Sequence, residues 1–238
     1  MSHKPKALHD KPLRKNIRML GNLLGQVIQE QEGSRIFDLE EHIRLASKQL
    51  RDRLNSSDRR NLQKVIQRMK PTDMSKIVRA FTAYFQLVNT AEQHHRVQRR
   101  KKYLRAHPRS GYPGSVRQTF EKMKKLNVSE NEIAELLSCL AVIPVFTAHP
   151  TEAVRRTVLE KHSRIWKLLE QIDGDSCTPR EEKELEIEIK RHITSLWQTE
   201  ETRSYNISVL DEVYNGLYYF RNVLYTTIPK FYRELEHS

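Results

Sequence analysis

In the stretch Val145-Phe146-Thr147-Ala148-His149-Pro150-Thr151-Glu152-Ala153-Val154-Arg155-Arg156, a histidine and two arginines are spaced to hold an anion and trade a proton. Imidazole ordinarily titrates near neutral pH, so it can take or give a proton under mild conditions. Pro150 disfavours the helical region for His149 and keeps it extended, while Pro150 and Thr151 suit the cap and first turn of a helix. The first N–H groups of such a helix have no intrahelical acceptor, and Arg155 and Arg156 follow within two turns with forked donors for phosphate or carboxylate. Acid–base chemistry on an oxyanion fits this turn. A single histidine is usually a packing residue, and the arginines can equally serve only to orient the turn.

The elements that must position His149 follow from the flanking pattern. Ala141 to Phe146 is apolar, rich in Val and Ile and too short for a helix, which predicts a buried strand ending at the histidine turn. Ser129-x-x-Glu132 is a capping box for a helix over Ile133 to Leu140, so the local order is helix, strand, turn, helix. One such strand cannot pair its own backbone groups, and its neighbours must come from elsewhere. After the turn, Val158, Ile165, Leu168, Leu169 and Ile172 continue a helix that Asp173-Gly174-Asp175 stops. Pro179 opens another helix with Glu181 and Glu182 in its first turn, as the helix dipole prefers. Ser208-x-x-Asp211 starts a last helix with Val213, Leu217, Phe220, Leu224 and Ile228 expected inward and a kink expected at Pro229.

Upstream the chain reads as helical throughout. Leu13, Ile17, Leu20, Leu24, Val27 and Ile28 share one helical face, and Gly33 is a natural stop. A second helix is expected over 37–54, and a short third helix carries Leu62, Val65, Ile66 and Met69 up to Pro71. From Asp73 a long helix places Ile77, Val78, Phe81, Tyr84, Phe85, Val88 and Ala91 in the core, then turns into the charged run His94 to Lys102. His94 and His95 are adjacent and point apart, so they do not form a helical metal pair. His107-Pro108-Arg109-Ser110-Gly111-Tyr112-Pro113-Gly114 is the clearest loop, and Val116, Phe120, Met123 and Leu126 form the helix after it. The sequence therefore divides into a polar extension over 1–12, a helical region over 13–140 and a segment over 141–238 built around the histidine turn.

Composition narrows the function classes. The chain has 238 residues, 37% of them hydrophobic, with only 7 glycines and 9 prolines, which suits helical domains with a real core. No apolar run approaches membrane-spanning length and the first residues carry no apolar leader, so a cytoplasmic protein without membrane contact is expected. Cys139 and Cys177 have no paired spacing and suggest neither a disulfide framework nor a zinc site. A net charge of +12 suggests an anionic partner, whether nucleic acid, a membrane surface, a small anionic substrate or an acidic remainder of a larger protein.

The motif Thr147-Ala148-His149-Pro150-Thr151-Glu152-x-x-Arg155-Arg156 resembles the active-site histidine motif of phosphoenolpyruvate carboxylases. Three further stretches are similar to the same family: Leu13-Arg14-x-Asn16-Ile17-Arg18-Met19-Leu20-Gly21, Arg79-Ala80-Phe81-x-x-Tyr84-Phe85, and Leu196-Trp197-Gln198-Thr199-Glu200-Glu201-Thr202-Arg203. Where the family often has a proline after Arg203, this chain has Tyr205-Asn206-Ile207. The resemblance implies a mainly α chain that contributes the first βα unit of an α-rich (β/α)8 TIM-type barrel. It implies His149 as the catalytic residue, with Arg155, Arg156, Trp197 and Arg203 as supporting positions. It further implies the joining of phosphoenolpyruvate and bicarbonate to oxaloacetate and phosphate, Mg²⁺ or Mn²⁺ as cofactor, and a homo-oligomer, a tetramer in the family. The family's metal carboxylates, lysine and glycine- and arginine-rich phosphate loop have no counterpart here, so no metal site is expected in this chain and the isolated piece is expected to be inactive. A basic helical RNA-binding or scaffold protein would account for the charge but not for the motif, and nucleic acid is not the expected partner. A non-catalytic regulatory subunit would account for both.

Overall fold

The structure is a computed structural model that describes residues 11–52, 56–108, 110–143, 155–174, 176–199 and 208–237. Among them the chain is mainly α, in the order α1 (Lys11–Glu32), α2 (Ser34–Asp52), α3 (Ser56–Gln67), α4 (Pro71–Ala106), α5 (Val116–Lys125), α6 (Glu130–Cys139), α7 (Arg156–Ile172), α8 (Pro179–Trp197), α9 (Val209–Tyr219) and α10 (Tyr225–Glu236). The residues fall into two compact units, one of 1–95 with 157–200 and the other of 96–156 with 201–238.

The first unit is a four-helix bundle of α1, α7, α8 and the amino-terminal part of α4, flanked by α2 and α3. Cross-helix contacts fix the directions. Lys15 meets Glu182 at 2.7 Å, Lys190 meets Glu30 at 2.6 Å and Trp197 Nε1 donates to Glu32 at 3.1 Å, so α1 and α8 run parallel. Lys161 at the start of α7 donates to Ser195 at the end of α8, which makes those two antiparallel. Lys76 pairs with Glu32 at one end of α4, and His94 reaches Asp173 and through it Asn16 at the other, so α4 opposes α1. The core between them is aliphatic: Leu20, Leu24, Val27 and Ile28 of α1 face Ile165 and Leu169 of α7 and Ile189 and Ile193 of α8, all buried. Each such side chain contributes about 1.5–3 kcal/mol on burial.

Local rules set the boundaries. Gly33 alone separates α1 from α2; its φ of 85° is left-handed, a conformation that favours glycine, and its N–H returns to Gln29 O. Thr178 and Ser129 begin α8 and α6 with complete capping boxes to Glu181 and Glu132, and Ser208 does the same for α9 with Asp211. Asp73, in the first turn of α4, takes both arms of the Arg35 fork at 2.9 and 2.7 Å and ties α4 to α2.

In the second unit α5 packs on α10, and Arg100 of α4 pairs with Glu234 of α10 at 3.1 Å. The loop before α5 is tightly built. Gly111 N–H donates to Glu121, and a Cβ at Gly111 would stand 2.4 Å from the Gln118 nitrogen, so no larger residue fits without moving backbone.

Several sequence expectations are corrected. The strand expected over 141–146 is absent from the part described: α6 ends at Cys139 and 140–143 is irregular, with Val142 and Ile143 76% and 80% exposed. No neighbouring strand exists among the described residues to pair its backbone. Residues 144–146 lie outside the described residues. Val78 and Phe85 were expected inside, but small Ala80 and Ala83 face the core instead and leave those two on the outer side. Leu126, Val213, Leu217, Phe220 and Ile228 are likewise exposed. The third helix starts earlier than its apolar pattern indicates, at Ser56. The last helix is interrupted ahead of Pro229, which lies inside α10: residues Phe220–Leu224 widen into a π turn that closes with Tyr225 N–H on Phe220 O, one turn before the proline.

Candidate functional site

His149 lies outside the described residues, as does Arg203. The structure describes the exit from the turn. Arg155 is half-buried just ahead of α7, and Arg156 opens α7 with its guanidinium carbon 5.8 Å from the centre of the Tyr218 ring on α9. That distance is within cation–π range, so Arg156 has an aromatic support at the helix start. No acidic residue occupies the first turn of α7, and the positive end of the helix dipole adds to the potential of the two arginines.

Trp197 is the last residue of α8 and is buried. Its indole N–H is committed to Glu32, the carboxylate at the end of α1 that also takes Lys76 at 2.6 Å. The Arg79 guanidinium lies 5.1 Å over the indole and donates to Thr199 O at 2.7 Å, while Gln198 donates to Gln31 at 2.8 Å. This knot fixes Thr199, the last described residue before the segment that carries Arg203. Trp197 and Arg79 thus act on each other in the first unit, and Arg155 and Arg156 belong to the second.

A sequence profile of phosphoenolpyruvate carboxylase matches residues 13–238. The chain belongs to the phosphoenolpyruvate carboxylase family. It is 41% identical over its whole length to a phosphoenolpyruvate carboxylase of Roseiflexus castenholzii, covering 26% of that protein. A phosphoenolpyruvate carboxylase of Nitrosomonas europaea is 35% identical over 95% of the chain and 24% of its own length, and one of Acinetobacter baumannii is 33% identical over 95% of the chain and 25% of its own. The chain therefore spans about a quarter of the length of these relatives.

No three His, Cys, Asp or Glu side chains converge among the described residues. No described helix is long and apolar enough to cross a membrane.

Two polar clusters in this carboxylase bundle escaped the sequence reading. His94 is fully buried on α4 and sits edge-on to Trp166, with its Nε2 2.8 Å from Asp173 Oδ2. A carboxylate only accepts, so Nε2 carries a proton and donates it, while Nδ1 is buried without a partner. Asn16 donates to the same Asp173 oxygen at 3.0 Å. One turn back, His162 meets Thr90 Oγ1 and Gln86 Oε1, each at 3.0 Å. The available signal was position: His94 continues the stripe Ile77, Ala80, Leu87, Ala91 at helical spacing, and a histidine on that stripe must be buried.

These clusters give the bundle an acid limit in two windows. Burial lowers the pKa of His162, so its contribution is whole above the ordinary value near 6.5 and is lost as pH falls through the depressed folded value. Burial alone would raise Asp173, but hydrogen bonds from His94 and Asn16, with the Lys15 charge nearby, hold it below the usual 3.8; its contribution is lost as pH falls through that lower value. Urea midpoints measured from neutral to acid pH should show both losses. His162→Gln should remove the upper one and Asp173→Asn the lower, and variants that track the wild type through both windows would contradict the assignment.

Proposed function

We propose that the chain serves as part of a phosphoenolpyruvate carboxylase, an enzyme that joins phosphoenolpyruvate to bicarbonate and yields oxaloacetate and inorganic phosphate. The observation that carries this reading is the family match together with the Thr147 to Arg156 motif. Bicarbonate attacks the phosphoryl group, giving carboxyphosphate and the enolate of pyruvate. Carboxyphosphate then loses its proton, its carbon–oxygen bond to phosphate breaks to release CO₂, and the enolate carbon attacks CO₂. His149 takes the proton of carboxyphosphate. Arg155 and Arg156 hold the phosphate charge or orient the turn, Arg203 is a weaker anion support, and Trp197, whose indole N–H is committed to Glu32, serves to hold the start of the stretch that carries Arg203.

In this reading the segment 141–238 contributes the first βα unit of a (β/α)8 barrel, its strand ending at His149 and its other strands supplied by the rest of the complete enzyme. The exposed Val142 and Ile143 are then the apolar residues left for those strands to cover. Mg²⁺ or Mn²⁺ supplies Lewis-acid charge in the complete enzyme, held by residues other than those described here. A cytoplasmic homo-oligomer, a tetramer as in the family, feeding oxaloacetate to the tricarboxylic acid cycle completes the proposal.

The test is a coupled assay for oxaloacetate from phosphoenolpyruvate, bicarbonate and Mg²⁺. The 238-residue chain alone should give no turnover above the buffer blank, and turnover should appear when it is mixed with the remaining three quarters of the Roseiflexus castenholzii relative. Turnover by the chain alone would show that it builds a complete site of its own.

A further inference from the structure

Arg14, Arg18, Gly21 and Gly25 follow along one face of α1, and with α2 and Tyr84 of α4 they line a groove of about 760 Å³ in the first unit. That volume lies in the range of small-molecule sites, about 300–1,000 Å³. The two glycines leave the groove floor bare. A Cβ at Gly25 would meet the Phe37 ring at 3.0 Å, and one at Gly21 would stand 3.5 Å from the Tyr84 ring, so two aromatic edges approach the α1 backbone directly.

Glu40 lines this groove and is only 8% exposed. It makes no hydrogen bond or ion pair among the described residues, although Arg44 stands one turn along α2, because the Arg44 fork is taken by Glu41 at 2.8 and 2.7 Å. A buried carboxylate without a partner is costly, which a ligand could relieve. Arg14 and Arg18, exposed on the α1 side of the groove, also have no hydrogen-bond or ion-pair partner among the described residues. The groove thus offers one buried anion and two separate cations with an apolar floor of Ile17, Leu24 and Phe37 between aromatic rings.

We propose that this groove binds a small zwitterionic amino acid with an apolar side chain, its ammonium on Glu40 and its carboxylate on Arg14 and Arg18. A plain anion would satisfy the arginines but leave the Glu40 carboxyl unpaired, and a plain amine would do the reverse. The site rests on the first unit alone and is independent of the carboxylation reaction.

Its pH dependence has a definite sign. Burial, with Glu41 adding to it and Arg44 opposing, pushes the Glu40 pKa up to about 7. The other groups around it are Glu41 and Arg44 on α2, Arg14 and Arg18 on α1 and the Tyr84 phenol on α4; glutamate, arginine and tyrosine side chains ordinarily titrate outside pH 6–8. An ammonium needs the ionised carboxyl, so binding releases a proton and weakens about tenfold from pH 8 to pH 6.

Calorimetric titration of the 238-residue chain with L-leucine, N-acetyl-L-leucine and isopentylamine at pH 8 and pH 6 tests this. L-leucine should bind, each analogue should bind at least about tenfold more weakly, and affinity should fall toward pH 6. Glu40→Gln should remove the pH dependence, and Arg18→Gln, an exposed change that leaves the core intact, should weaken L-leucine but not isopentylamine. Absence of L-leucine binding up to about 10 mM overturns the proposal. So does N-acetyl-L-leucine binding as well as L-leucine and more tightly at pH 6, which would make the groove an anion site.

Discussion

His149→Asn in a complete carboxylase containing this chain should lose oxaloacetate formation by about 10²–10⁴-fold, the contribution of a positioned general acid–base group, while bicarbonate-dependent phosphate release persists. Asparagine keeps the approximate size and a polar tip but cannot accept a proton. In the proposed mechanism the first step, attack of bicarbonate on phosphorus, needs no base at this position, and the second does. Phosphate and oxaloacetate should therefore uncouple. Measuring both products in one reaction decides the matter, and oxaloacetate at the wild-type rate would remove His149 from the mechanism.

The second large effect is on stability. Leu169 is fully buried among the bundle helices, and Leu169→Ala should destabilise the first unit by about 2–5 kcal/mol through lost burial and the cavity left behind. Against a typical total of about 5–15 kcal/mol this is a large fraction. Leu126→Ala removes the same atoms from a residue 76% exposed and should change stability by no more than about 0.5 kcal/mol. Equal shifts in urea midpoint for the two variants would mean that α7 is not held by its apolar face.

What could be read from the residues alone was local. The Gly33 break, the capping box at Ser129 and the helix starts at Pro179 and Ser208 all depend on a few adjacent residues, and the structure has each of them. Periodicity also separated Leu20, Leu24 and Val27 from their polar neighbours correctly. It failed where the outcome depends on a partner. Val213, Leu217 and Phe220 share a helical stripe, but a stripe states only that residues lie together, and here nothing among the described residues covers them. On α4 two stripes competed, and the side with alanines won because small residues let the helices approach closely. His94 was hidden because its partners, Asp173 and Asn16, are far from it in sequence. The histidine motif carried the family and both arginines in its residue order, while the structure contributes the Tyr218 ring beside Arg156 and the knot around Trp197.

The first unit is discontinuous: residues 11–95 close only when 157–199 arrive, and the intervening stretch belongs to the second unit. On the ribosome α1 therefore leaves the exit tunnel long before α8, its parallel neighbour. The end of α8 follows the end of α1 by 165 residues (Trp197 against Glu32), so at about 5–20 residues per second the apolar face of α1 waits roughly 8–33 s for the last of its partners. During that interval Leu20, Leu24 and Ile28 are open to chaperones and proteases. Synthesis speed and chaperone supply, as much as final stability, then govern how much of this chain reaches its native state.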